Sequence, residues 1–257
     1  MAPFPMLNPA YSKPSMKRSP DPEIDGVLLI DKGQDMTSHD VVAVARRALG
    51  TKKIGHCGTL DPNATGLLIL VIGRATKIQD LLMAEEKEYE GVLRLGSSTT
   101  TQDAWGEPIA TAEVPAYTPG QLEAAFSQFR GDFYQLPPMV SAIKKDGVAL
   151  YKLARQGIEI EREKRLVTVF HHQIKGVNLP DIEFRVVCSK GFYVRTYCHD
   201  LGEALGNHAH MAALRRTRSG KFDLTKATTF EELKTLPRGE LLARLLSLRD
   251  VSRLRGV

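Results

Sequence analysis

The chain has 257 residues, of which 42% are hydrophobic and 25% charged, and it carries a formal net charge of +5. This is globular composition with enough apolar content for one full core and a small appendage. No apolar run reaches the length of a bilayer-spanning helix, and the cationic excess leans towards a polyanionic partner.

Residues 1–23 hold six of the fourteen prolines and no periodic apolar pattern. They read as a disordered leader without the apolar centre of a signal peptide. Residues 26–30 predict a first buried strand, followed by the turn Asp31-Lys32-Gly33. Thr37 with Asp40 three residues later is a capping-box start. The helix it opens puts Val41, Val44, Ala45 and Ala48 on one face and stops at Gly50. Arg46, Arg47, Lys52 and Lys53 lead out of it, suited equally to phosphates and to a solvated helix end.

Next comes the stretch Gly55-His56-Cys57-Gly58-Thr59-Leu60-Asp61-Pro62-Asn63-Ala64-Thr65-Gly66, which runs directly into the apolar strand 67–72. Glycines at such density let a chain hold a side chain in a strained, exposed place at a sheet edge. Pro62 pushes Asp61 out of helical dihedrals. Residue types alone allow two readings of Asp61: a carboxylate aimed into a cleft, or the first residue of a turn.

Residues 76–83 predict a short helix and 87–96 a strand of roughly alternating pattern. A polar loop covers 97–106. Thr118-Pro119-Gly120-Gln121 caps a helix whose core face is Leu122, Ala125, Phe126 and Phe129. Residues 135–157 combine the pair Pro137-Pro138 with the adjacent Lys144 and Lys145, which suits a mobile arm that orders on binding a partner. Strands are expected at 164–177, 182–188 and 208–218, with a helix opened by residues 189–196. Terminal helices follow at 229–236 and 237–248, leaving 251–257 as a tail and residues 24–250 as the main domain. Cys57, Cys188 and Cys198 form no Cys-x-x-Cys pair, which argues for reduced thiols and a cytoplasmic protein. His171, His172, His208 and His210 match no common ligand spacing, so no metal is expected.

Gly55-His56, Gly58-Thr59-Leu60-Asp61-Pro62 and Ala64-Thr65-Gly66, then Lys87-x-Tyr89, then Ser189-Lys190-Gly191-Phe192-Tyr193-Val194-Arg195-Thr196 resemble, in order, the motifs of the TruB family of tRNA pseudouridine synthases. The resemblance runs from about Gly26 to Leu248. It implies a mixed α/β (α+β) fold with a largely antiparallel central sheet flanked by helices, and an RNA-gripping insertion at 135–157. It implies Asp61 as nucleophile, Tyr89 against the target base and Arg195 in the catalytic site. His56 would fill the space left by the extruded base, while Tyr193, Leu214 and Lys77 line the pocket. Asp103 matches a family position used at the RNA, as do Lys144 and Lys145 within the insertion, whereas Thr100 stands where the family usually has an acidic residue. Cys57 competes as a nucleophile only weakly, because no cofactor motif accompanies it and the family pattern varies there. Many bacterial relatives continue into a small RNA-binding domain that this chain is expected to lack.

The chemistry suits these residues. Moving a uracil from nitrogen to carbon linkage develops positive character at the sugar, which a carboxylate can trap, and it needs no cofactor. That carboxylate must stay ionised in a cleft, and a neighbouring guanidinium secures this. The base is reached by flipping it onto an aromatic floor. The expected activity is isomerisation of uridine 55 in the T loop of tRNA by a cytoplasmic monomer that binds the T arm and no membrane. The rival readings are a guide-RNA-dependent pseudouridine synthase and a non-catalytic tRNA-folding chaperone.

Overall fold

The computed structural model describes residues 24–141, 144–145, 148–149, 158 and 160–256. The expected leader at 1–23 and residues 142–143, 146–147 and 150–157 of the expected 135–157 arm lie outside them.

The N-terminal half is built on β1 (Gly26–Lys32), the helix α1 (Ser38–Leu49), β2 (Ile54–His56) and β3 (Thr65–Ile72). A 3-10 turn (Gly73–Ile78) and α2 (Gln79–Met83) lead into β4 (Lys87–Leu95). The ribbon β5 (Ser97–Thr99) and β6 (Pro108–Thr111) precedes α3 (Pro119–Ser127) and β7 (Gly131–Gln135). A second ribbon joins β8 (Lys144–Lys145) to β9 (Val148–Ala149). Then come β10 (Arg165–Asn178), β11 (Asp181–Cys188), α4 (Val194–Ala204), β12 (Ala209–Ser219), β13 (Phe222–Asp223) and β14 (Thr228–Thr229). The chain closes with α5 (Phe230–Thr235), α6 (Arg238–Ala243) and α7 (Leu248–Arg255).

One ten-stranded sheet organises the fold, in the order β14-β1-β3-β12-β4-β11-β10-β7, with β2 added on β3 and β13 on β12. Among the described strands only β1–β14 and β3–β12 pair in parallel. The protein is therefore mixed α/β with a largely antiparallel sheet.

The two halves of the sheet bury their residues differently. Val27 to Ile30 and Leu67 to Ile72 are all at most 4% exposed, because β1 and β3 are covered on both faces. Continuous apolar runs, rather than alternation, follow from that. One face packs Leu28, Ile30, Leu68 and Leu70 under α1, α5 and α6 through Val41, Leu49, Leu233 and Leu241. The other face packs Val27, Leu29, Leu67 and Ile69 against Ala75, Leu82 and Val251. In β4 and β11 the pattern alternates: Leu93, Leu95, Ile182, Phe184 and Val186 meet Phe126 of α3 and Tyr197 of α4. The opposite side carries cross-strand pairs such as Arg94–Asp181 and Lys175–Glu90, each at 2.7 Å, worth little individually in water.

Several elements differ from expectation: the helix expected over 237–248 stops at Ala243, and the loop expected over 97–106 begins with β5. The helix anticipated over 76–83 is split, since Gly73 takes φ +59 and opens a 3-10 turn instead. The expected tail is helical: Ser247 and Asp250 form a reciprocal capping box that starts α7, and Gly256 closes it in the left-handed region. Among the described residues no helix is long and apolar enough to cross a membrane.

Candidate active site

The loop between β2 and β3 carries Asp61 and is held from three sides. Ser38, buried at the start of α1, donates from Oγ to the Leu60 carbonyl at 3.1 Å and accepts from the Leu60 N–H at 2.9 Å. Lys32 is fully buried and donates from Nζ to the carbonyls of Gly33, Met36 and Pro62 at 2.9, 2.9 and 3.3 Å. Burial lowers its pKa to about 8, opposed by the charge of Asp61. Ala64 N–H closes a turn onto the Asp61 carbonyl at 3.0 Å. Asp61 is thus both a turn residue and a projecting carboxylate, with its side chain 38% exposed.

The third support is Arg216 on β12. Its guanidinium donates from Nε to Leu67 O at 2.7 Å and from Nη2 to Gly58 O at 3.1 Å, near the two ends of the loop. Gly58 and Gly66 have φ +88 and +98. At Gly66 a Cβ would come within 2.2 Å of the Arg216 carbonyl oxygen, so the strands touch there only because the side chain is absent.

Facing the carboxylate is Arg195, in the first turn of α4 and 4% exposed. Its Nε lies 2.9 Å from Asp61 Oδ2. Nη1 donates to Thr101 O at 3.0 Å and Nη2 to Val140 O at 2.7 Å. Asp103 Oδ2 stands 3.8 Å behind the same Nε. Asp103 is itself fixed, its Oδ1 accepting from Thr101 Oγ1 at 2.6 Å and from Trp105 N–H at 3.0 Å. The guanidinium therefore sits in a cage of two carbonyls and two carboxylates that sets its orientation before any ligand arrives.

Asp61 and Arg195 open onto a cleft of about 670 Å³ lined also by Tyr89, Tyr193, Leu214 and Arg216. Tyr89 and Leu214 are half-buried and pack against both of the larger apolar clusters. Burial raises the Tyr89 pKa, against the pull of the nearby Arg216 charge. Tyr193 is raised by burial as well. Both phenols stay protonated at neutral pH. The Tyr193 backbone is pinned by both ends of the Gln135 amide, at 2.8 and 3.1 Å.

Other expected residues fall elsewhere. His56 does not line the cleft; it meets His39 edge to face with centroids 5.4 Å apart, and burial lowers its pKa to about 4. Lys77 is exposed on the 3-10 turn outside the cleft, because that turn points its side chain to solvent. Asp103 is turned inward to Arg195 and its own loop, so its carboxylate is not free for RNA. Lys144 and Lys145 form β8, and their side chains lie outside the described residues. Cys57 is fully buried, with burial raising its pKa to about 12, so it is a protonated core side chain. The residues that sequence reasoning did not single out are Lys32 and Arg216. Each lies beside another charged residue, in Asp31-Lys32 and Arg215-Arg216, and nothing in such a pair marks the buried member.

Residues 46–194 match the model of the TruB family pseudouridylate synthase N-terminal domain, and 195–248 that of the tRNA pseudouridylate synthase B C-terminal domain. The chain is 53% identical over 227 residues to tRNA pseudouridine synthase B of Opitutus terrae, covering 88% of this chain and 94% of that one. It is 47% identical to the protein of the same name from Syntrophotalea carbinolica, covering 90% and 75%. Among solved structures it is similar to one titled as a Cbf5-Nop10-Gar1 complex, with TM-score 0.69 and 28% identity over 89% of this chain and 62% of that one. A second, titled as an H/ACA RNP bound to a substrate RNA containing 2'-deoxyuridine, gives TM-score 0.60 and 28% identity, covering 80% of this chain and 51% of that one.

Proposed function

The chain belongs to the TruB family of pseudouridylate synthases, and from that premise we propose that it isomerises uridine 55 in the T loop of tRNA with Asp61 as nucleophile. The observation that carries this reading is the 2.9 Å contact between Asp61 and Arg195 in the lining of the cleft.

The reaction is an internal rearrangement. The bond from C1′ to N1 breaks, the uracil turns, C1′ bonds to C5, the C5 proton leaves and N1 takes one up. No co-reactant is needed for the balance. Arg195 keeps the Asp61 carboxylate aimed, because its fork is already locked by Thr101 and Val140. Tyr89 supplies a floor on which the flipped base stacks. Its protonated hydroxyl suits it to pass a proton on rather than to stand as a phenolate base. Lys87, Arg165, Lys190, Arg195 and Arg216 outnumber Asp61 and Asp80 in the lining of the cleft, which favours an anionic nucleotide. We place the T arm across this face, with Lys144 and Lys145 reaching it from the 135–157 arm, and the enzyme acting as a cytoplasmic monomer without cofactor.

The test is tritium release from an unmodified tRNA transcript carrying labelled uridine, with no other macromolecule present. Turnover by the purified chain, lost in Asp61→Asn while tRNA affinity persists, supports the reading. Activity appearing only when a guide RNA is added would transfer the chain to a guide-dependent branch. Equal turnover by Asp61→Asn would remove the nucleophile.

A further inference from the structure

We propose that Arg216 is a positioning residue for this reaction, fastening the loop that carries Asp61 to the strand that carries Tyr89. The inference rests on the reading given under Proposed function and extends it to a residue outside the motifs.

Three observations support it. Arg216 is 1% exposed, yet among the described residues no carboxylate lies within 4.0 Å of its guanidinium. Burying a guanidinium without a counter-charge is expensive, and simple packing could be met by an apolar side chain. Its neighbours on the chain show the contrast: Arg215 pairs with Asp31 at 2.7 Å and Arg218 with Glu86 at 2.6 Å. Second, its two carbonyl acceptors, Gly58 and Leu67, bracket Asp61 in sequence. A single planar fork therefore holds the loop closed. Third, β12 lies between β3 and β4 in the sheet, and Arg216 faces Gly66 on one side and Tyr89 on the other in the strand register. Its positive charge opposes the rise that burial imposes on the Tyr89 pKa.

Asp61 and Asp80 line the same cleft as Arg216 without forming an ion pair with it. Lys32 and Lys87 both feel its field and are held near pKa 8 mainly by burial. The net positive charge left on the wall is available to the anionic substrate.

The experiment compares wild type, Arg216→Lys and Gly58→Ala in single-turnover assays on saturating tRNA, with tRNA affinity and melting temperature measured alongside. Lysine keeps the charge but cannot copy the planar fork that bridges the two carbonyls. Gly58→Ala leaves Arg216 intact and puts a Cβ 3.3 Å from its Nη1 at φ +88, which displaces the fork from the loop side. We expect the rate to fall about 30-fold or more in each, with affinity within about 3-fold of wild type. Arg216→Ala should regain rate when guanidinium ion is added and not when urea is added, a pattern a purely structural loss would not give. Rates within about 3-fold of wild type in folded Arg216→Lys and Gly58→Ala overturn the proposal, as does a loss confined to tRNA affinity. An inactive wild-type enzyme would instead remove the reading on which the proposal rests.

Discussion

Arg195 Nε stands 2.9 Å from Asp61 Oδ2, joining the first turn of α4 to a loop that lies before β3. The pair is asymmetric: the guanidinium is 4% exposed and the carboxylate 38%. The cation is thus part of the scaffold, while the anion is what the scaffold presents.

Arg195→Lys should therefore separate orientation from charge. A lysine cannot serve Asp61, Thr101 O and Val140 O at once, and the predicted loss of single-turnover rate is about 100-fold or more, with tRNA affinity nearly unchanged. Its melting temperature should fall by about 2–6 °C, reflecting one or two unmet carbonyls. A rate close to wild type in pseudouridine formation would exclude the pairing as a catalytic requirement.

His56 makes a pH prediction. Its folded pKa of about 4 lies below the ordinary 6.5, so the unfolded chain binds the proton more readily between those values. The neutral ring contributes stability that is complete above about pH 6.5 and drains away as pH falls towards 4. Replacing His56 with Asn should flatten this limb, so that the variant loses less melting temperature than wild type between neutrality and pH 4.5. Parallel curves would contradict it. The reaction rate between pH 7 and 8 should not report His56 at all.

Gly66→Ala tests the contact between β3 and β12. With φ +98 and a Cβ directed at backbone oxygen 2.2 Å away, the variant should lose more than about 3 kcal/mol, by denaturant titration. A mild loss would mean that the two strands can part without consequence.

Deleting the residues after Leu246 removes α7. Val251 is 2% exposed and Arg255 pairs with Glu85 at 2.7 Å. Losing them should lower the melting temperature by about 5 °C. Differential scanning calorimetry of the shortened chain would show it, and an unchanged transition would make the helix an ornament.

The parts of the fold legible in the sequence were those with strong local signals. Thr37 and Thr118 cap α1 and α3 as their spacing implied, and the runs 26–30 and 67–72 are strands because only a doubly covered sheet accepts them. Asp61, Tyr89 and Arg195 were legible through ordered motifs, and the chain folds so that all three reach one cleft. Lys32 and Arg216 were not. Each lies beside a charged neighbour, and only the tertiary fold decides which cation turns inward. α7 was missed because its capping box begins inside a charged run with a single buried residue, too little apolar periodicity to stand out. Lys77 was placed by the family pattern, whereas Gly73 tightens the backbone and swings it to solvent.

Tyr89 and Leu214 rest on two separate apolar clusters at once. The floor of the cleft is consequently a seam, and neither half of the molecule can loosen without tilting it. Catalytic competence and global folding should then vanish in one cooperative step on heating, with no warm, compact, inactive stage between them.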